Sequence, residues 1–368
     1  MRYVYRGDII VADGFIKPSD KTIFITNFFT EIFMQDIYYP SGDGKTTIHA
    51  CIWQAEGEPK AVLQIIHGMA EYAARYAPFA EFMAKRGVTV CAEDHLGHGK
   101  SVLSEDDLGY FADRNGWQTV LKDIRSLTDI IKQKLPDLPY FVMGHSMGSF
   151  FCRKYISLYG GDLAGAIIMG TGFKSAAVTG GAKFITRFTA LFHGWRYRSK
   201  FIDNTAFGSY NNKFEKRTAF DWLSANPANV DAYIADPLCG VPFTCNAFYG
   251  LFSIISEACK TNTVKAVPDK LPLFVVAGAD DPVGDYSAGV EKFVNKLIKY
   301  GKDAEMTLYR GCRHEIVNDF CAPQLFDDLA EFIAAYSEEA QADKGVNAEK
   351  KAEEKTDGDN AAGGAQTE

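Results

Sequence analysis

Tyr140-Phe-Val-Met-Gly144-His145-Ser146-Met147-Gly148 passes from four apolar residues straight into Gly-x-Ser-x-Gly, and a helical pattern continues from Ser149 to Tyr159. A serine at such a strand-to-helix turn sits in a strained backbone conformation. Small residues two before and two after it, here Gly144 and Gly148, relieve the crowding around that turn. The context makes Ser146 a candidate nucleophile displayed beyond the carboxyl end of a buried strand.

Working outward, the same kind of strand recurs. Ala61-Val-Leu-Gln-Ile-Ile66, Val88-Thr-Val-Cys-Ala92, Ala166-Ile-Ile-Met169 and Leu273-Phe-Val-Val-Ala277 are short apolar runs of the kind buried parallel strands show. Longer periodic segments such as Tyr76 to Lys85 and Trp117 to Leu135 lie between them. Alternation of this kind predicts an α/β fold with a mostly parallel, doubly wound sheet and helices on both faces. The alternation covers 46–170 and 269–336 and is broken by 171–268, which is rich in aromatic residues and reads as an inserted helical cap. Residues 1–45 are left unplaced as an N-terminal extension. Residues 337–368 contain no aromatic residue and are expected to form a disordered acidic tail, because they have too little apolar surface to offset the entropy of ordering.

The composition of the 368 residues, 47% hydrophobic and 23% charged, suits a chain with a sizeable core, and the net charge of -8 argues against a general nucleic-acid binder. The eight cysteines are scattered and include no Cys-x-x-Cys pair, a pattern suited to a reducing cytoplasm. No run of 18 apolar residues occurs, so no ordinary membrane-spanning helix is expected. Charge is unevenly spread: Thr171 to Arg217 carries nine basic residues against Asp203 and Glu215.

A serine needs a base, and the base needs an orienting acid. In folds of this kind the acid and then the histidine follow the serine along the chain. Only His193 and His314 follow Ser146; His193 lies in the insertion, whereas His314 sits in a loop after a strand-like run, so His314 is the better base. Gly278-Ala-Asp280-Asp281-Pro282 places two carboxylates past a strand; Asp281 is preferred and Asp280 stays open. His67-Gly68-Met69 ends another strand, and the amides of Met69 and Met147 are positioned to stabilise an oxyanion, with His67 as an orienting partner. Asp94-His95-Leu-Gly97-His98 offers a metal-like spacing, but the intervening glycine implies a turn; no metal or other cofactor is expected.

Taken together, His67-Gly-Met-Ala-Glu71 with Arg75-Tyr76, Asp94-His-Leu-Gly-His-Gly-Lys-Ser101, Gly144-His-Ser-Met-Gly148, Gly278-Ala-Asp-Asp281 and Gly311-Cys-Arg-His314 resemble the α/β-hydrolase superfamily. Within it they resemble the monoacylglycerol lipase and lysophospholipase group, related to the serine aminopeptidases. The resemblance implies an eight-stranded core, a Ser146–Asp281–His314 triad with Gly68 and His145 in support, and a cap over the site. It departs from the animal monoacylglycerol lipases at Gly284, where those tend to carry a cysteine, and in a longer cap. It implies an esterase of single-acyl lipids, with small-molecule lipid esters as partners, no nucleic acid, and no implication for oligomeric state. A peptidase or other ester or thioester hydrolase on the same triad, and a non-catalytic receptor on the same fold, are the alternatives.

In the cap, Phe184, Phe188, Leu191, Phe192 and Trp195 recur at helical spacing. Such a stripe either packs onto the core or meets a lipid surface in transient peripheral contact. Phe248 and Phe252 are further candidates for an acyl-binding wall.

Overall fold

The computed structural model describes residues 34–362. Its strands are β1 (Met34–Pro40), β2 (Thr47–Trp53), β3 (Ala61–Ile66), β4 (Val88–Glu93), β5 (Tyr140–His145), β6 (Gly165–Met169), β7 (Leu273–Gly278) and β8 (Ala304–Tyr309). They form one sheet in the order β1-β2-β4-β3-β5-β6-β7-β8. β1 and β2 pair antiparallel with each other, β2 pairs antiparallel with β4, and every other pairing is parallel. The parallel strands are joined by helical crossovers: α1 (Ala77–Ala84), α2 (Gly116–Lys134), α3 (Met147–Tyr159), the cap helices α4 (Ala176–His193), α5 (Lys200–Phe207), α6 (Pro227–Ala235), α7 (Cys245–Cys259) and α8 (Thr261–Ala266), then α9 (Ala288–Lys299); α10 (Ala322–Ala362) follows β8.

Strand periodicity divides the core in two. Val62 and Ile66 of β3 pack with residues of α2, α3 and α9, whereas Leu63 and Ile65 pack with α1 and α10. All six residues of β3 are buried, as expected of a strand covered on both faces. Gln64 is the polar exception and is satisfied: its Oε1 accepts from Thr128 at 2.6 Å and Tyr140 at 2.7 Å, and its Nε2 donates to the Ile124 carbonyl at 2.9 Å.

Two boundaries differ from the sequence expectation. Of the stretch left unplaced, 1–33 lies outside the described residues, but Met34–Pro40 is the edge strand of the sheet. Only Tyr39 in it is buried, and Gln35 and Asp36 interrupt its apolar residues, so it lacks the long apolar run of the central strands. The tail was expected to be disordered, yet α10 continues to Ala362. The composition that denies this segment a core is dominated by Ala, Glu and Lys, which have high intrinsic helix propensity, so helical backbone there needs no buried face. The remainder of the tail, 363–368, lies outside the described residues. Among those described, no helix is long and apolar enough to cross a membrane.

Candidate active site

The turn between β5 and α3 holds Ser146 at φ 53° and ψ -118°, a positive-φ conformation that side chains other than glycine rarely adopt. The flanking glycines make it feasible. A Cβ on Gly148 would lie 1.9 Å from the Ile66 carbonyl oxygen, and one on Gly144 would lie 2.3 Å from the Gly148 oxygen. The serine hydroxyl is thereby lifted out of the sheet towards the loop after β8. There, His314 Nε2 lies 2.8 Å from Ser146 Oγ, and His314 Nδ1 lies 2.9 Å from Asp281 Oδ2.

The acid loop follows β7. Asp281 is fully buried, and its Oδ1 accepts from the Val283 amide at 2.8 Å, whereas Asp280 is exposed. Burial and the two hydrogen bonds therefore single out Asp281 as the partner of His314. Close approach at Gly278, where a Cβ would meet the Arg313 carbonyl oxygen at 2.0 Å, lets the loop carrying His314 settle against the end of β7. Asp285 belongs to a turn of three consecutive positive-φ residues, Asp285, Tyr286 and Ser287, that precedes α9. His193, the other histidine after the serine, is the exposed last residue of α4 and stacks on Tyr197.

Met147 opens α3, so its amide has no acceptor within the helix. It lines the same cavity as Ser146, Met69 and His314. The Gly68–Met69 turn is fixed from both sides. His67 donates from Nδ1 to the Gly68 carbonyl at 2.7 Å and accepts the His95 amide on Nε2 at 3.0 Å. Acceptance on Nε2 requires the neutral ring, and burial accordingly pushes its pKa down to about 3. Glu71 Oε1 accepts the Gly68 amide at 2.6 Å and also meets Tyr76 and His145 Nδ1 at 3.0 Å.

Glu71 leads into a buried ionic chain absent from the sequence reading. Arg75 Nη1 donates to Glu71 at 3.1 Å, and its two terminal nitrogens reach Glu315 at 2.8 and 2.9 Å. Asn229 of α6 adds a bond of 2.9 Å to Glu315, and Tyr233 of the same helix lies under the Arg75 guanidinium. Burial opposes ionisation of Glu71, but His145 and Arg75 outweigh it and hold the carboxyl well below the usual range. Burial likewise opposes charge on His145, and Glu71 outweighs it, raising that pKa. His145 Nε2 faces the His314 carbonyl at 3.3 Å, so both of its nitrogens meet acceptors. The chain thus joins the Gly68–Met69 turn, the loop of His314 and the cap.

A cavity of about 480 Å³ opens at Ser146 beneath the cap, with Phe207, Trp222, Leu251 and Ile255 in its lining. The Trp222 ring lies over His314 at 5.3 Å. Next to it is a second cavity of about 770 Å³ under α4, and Phe207, Tyr210, Leu251 and Ile255 line both.

A family model described as serine aminopeptidase, S33, matches residues 57–320, more than half of the chain. The chain belongs to this family. It is a hydrolase of the lipase and esterase kind with the α/β-hydrolase fold. A monoacylglycerol lipase of Mycolicibacterium smegmatis is 27% identical over 309 residues, covering 80% of this chain and 96% of that protein. The human monoglyceride lipase is 26% identical over 266 residues, 71% of this chain and 78% of that one. A thermostable carboxyl esterase from Bacillus coagulans, solved in complex with glycerol, superposes with a TM-score of 0.78 at 28% identity over 83% of this chain and 99% of its own.

Within this S33 hydrolase the cap residues singled out from sequence scatter. Phe184, Phe188 and Phe192 are 71%, 56% and 68% exposed, so this stripe of α4 faces solvent and does not pack on the core. The buried face of α4 is instead Thr179, Thr186 and Ala190. Trp195 lies beyond the helix against Tyr249. Phe248 is fully buried among Phe243, Phe207 and Phe252 and lines neither cavity; Phe252 lines the second. Phe207, Tyr210 and Trp222, which sequence reasoning did not single out, line the cavity at Ser146; their only signal was aromatic density in the insertion. His95 and His98 are fully enclosed, and burial lowers both of their pKa values.

Proposed function

We propose that the protein is a serine hydrolase of carboxylic esters carrying one acyl chain, on glycerol or on a lysophospholipid, acting through an acyl-enzyme. The observation that carries this reading is the hydrogen-bonded line Ser146–His314–Asp281 opening into a cavity of about 480 Å³ with apolar and aromatic walls. His314 Nε2 takes the Ser146 proton as Oγ attacks the ester carbonyl, and buried Asp281 stabilises the imidazolium. The Met69 and Met147 amides receive the oxyanion. The tetrahedral species collapses as His314 protonates the departing alcohol; water, deprotonated by the same ring, then releases the acid. No step calls for a metal or organic cofactor.

The acyl chain runs from Ser146 past Phe207 and Leu251 towards the second cavity, and glycerol or a head group stays near the mouth. The mycobacterial and human relatives are named for monoacylglycerol hydrolysis, which supports this substrate class. A peptide substrate would need a carboxylate to hold its ammonium group; of the three that line the cavity, Glu71 and Glu315 already share Arg75, which leaves Asp203 alone for that task. The test is a panel of monoacylglycerols, lysophospholipids and aminoacyl esters against wild type and Ser146→Ala. Single-acyl lipids should be turned over fastest and only by the wild type; aminoacyl esters leading the panel would overturn the assignment.

The exposed stripe supports a second element of the proposal: α4 rests on a lipid surface while substrate enters. The helix contains no acidic residue, and Lys183 and Arg187 flank its phenylalanines. Arg196 and Arg198 are not part of this face, because they bind Asp107 and the carbonyls of Asp106, Leu108 and Pro242. Burying a phenylalanine is worth about 1.5–3 kcal/mol. Phe184→Glu with Phe188→Glu should therefore weaken sedimentation with anionic vesicles by roughly tenfold or more. Hydrolysis of a soluble short-chain ester should be unchanged. Vesicle binding equal to wild type would remove the lid from this role.

A further inference from the structure

At the antiparallel edge of the sheet, far along the fold from the triad, three side chains of different chemistry converge. Asp36 of β1 and Cys51 of β2 are directly opposite partners in the register, and His49 stands two residues before Cys51 on the same strand face. His49 Nε2 lies 2.8 Å from Asp36 Oδ1, and Cys51 Sγ lies 3.9 Å from that oxygen and 4.0 Å from the imidazole nitrogen. Together they are the set of potential metal ligands the described residues bring within 4.8 Å of one another. The hydrolytic site uses none of them.

We propose that Asp36, His49 and Cys51 form a binding site for a divalent transition-metal ion of the zinc type. Thiolate, imidazole and carboxylate are the three protein ligand types such an ion takes. Tetrahedral bonds of about 2.3 Å to sulfur and about 2.0–2.2 Å to nitrogen and oxygen place ligand atoms roughly 3.3–3.6 Å apart. The separations here bracket that range, being shorter for nitrogen to oxygen and longer to sulfur. Turning the Asp36 carboxylate away from His49 and towards Cys51 corrects its own two separations, and a rotation of the Cys51 side chain must close the 4.0 Å between Sγ and His49 Nε2 by about 0.4 Å. Asp36 is 38% exposed and can turn by giving up its present bonds to His49 and Lys100, while His49 is 3% exposed.

The surroundings are those of a built site. His49 Nδ1 meets Asp94 Oδ2 at 2.8 Å, the outer carboxylate that orients a ligating imidazole with Nε2 forward. Asp94 is itself fixed by the amides of Ala73 at 2.9 Å and Lys100 at 2.8 Å. The Lys100 ammonium, 3.5 Å from both Asp36 Oδ2 and His49 Nε2, already brings a cation to this point and is exposed enough to swing out. The partly exposed Asp36 leaves room for entry and for a water as fourth ligand.

The charges balance. Cys51 gives up its thiol proton, and His49 ligates as the neutral ring, with its proton on Nδ1 towards Asp94 and Nε2 towards the ion. Thiolate and carboxylate then neutralise the dication. The ion would clasp β1 to β2 and, through Asp94, reach the turn that supports His67.

The test is a Co²⁺ titration of the chelator-treated full-length protein. One ion per chain should bind with a thiolate-to-cobalt charge-transfer band and the visible bands of a four-coordinate ion, and Zn²⁺ should displace it and raise the melting temperature. Cys51→Ser, checked for an unchanged circular-dichroism spectrum, should lose the charge-transfer band; Asp36→Ala should weaken Zn²⁺ binding by roughly tenfold or more. Lys100→Ala should tighten it. Absence of the band in the wild type, or a band undiminished in Cys51→Ser and therefore arising at another cysteine, would overturn the proposal.

Discussion

Asp281→Asn should lower kcat for a soluble ester by about 10⁴-fold with little change in KM, because a wrong imidazole tautomer costs about that much in a serine triad. The direction follows from the acid loop. Val283 N–H holds Oδ1 of residue 281 at 2.8 Å and needs an acceptor there. An asparagine meets that need with its carbonyl oxygen and so aims its amide nitrogen at His314. Nδ1 must then accept, the ring proton moves to Nε2, and Nε2 can no longer take the Ser146 proton. Asp280→Asn changes an exposed side chain next door and should leave kcat within about twofold of wild type, as surface changes outside a site do. Equal losses in the two variants would assign the acid wrongly.

Arg75→Ala should destabilise the protein by about 3–5 kcal/mol, the usual consequence of stranding buried charges by removing their partner. Arg75 is 10% exposed in its side chain and serves Glu71 and Glu315, each 4% exposed. For a domain of this size that is a drop in melting temperature of roughly 10 °C. The sign of the pH dependence can be worked out. Without Arg75, His145 still holds the Glu71 carboxyl down, but Glu315 loses its main counter-charge and burial raises its folded-state pKa above the unfolded value, so stability is lost as pH rises through that raised value. The deficit against wild type should be smaller at pH 5 than at pH 8. Glu71 also holds the Gly68 amide, and Glu315 adjoins His314, so activity measured well below the melting temperature should fall too. A deficit independent of pH would mean that lost packing on Tyr233, not stranded charge, is the cause.

What could be read without coordinates follows from where each signal resides. Five parallel strands were legible because strands covered on both faces are continuous apolar runs, and β3 begins and ends at the residues that run suggested. The Ser146 turn was legible because its strain demands glycines at fixed offsets. Choosing between Asp280 and Asp281 needed burial, which adjacent residues in a loop do not reveal. Arg75 and Glu315 stand 240 positions apart, so no local pattern links them, and the same is true of Asp36 and Cys51 across a strand pair. In α4 the stripe holds for Phe184, Phe188, Leu191 and Phe192, with Trp195 beyond the helix end, but periodicity cannot say whether that face looks inward. Thr186 and Ala190 turned inward because small side chains let α4 lie close on the core of the cap.

The central claim is that Ser146 becomes acylated. Mixing enzyme with excess 1-monoacylglycerol, quenching in acid within one turnover and analysing the 135–153 tryptic peptide by mass spectrometry tests it directly. This peptide should gain the mass of one fatty acid less water, localised to Ser146, and the adduct should decay at the rate of product release. Steady hydrolysis with no acyl group on Ser146, or undiminished turnover by Ser146→Ala, would contradict it.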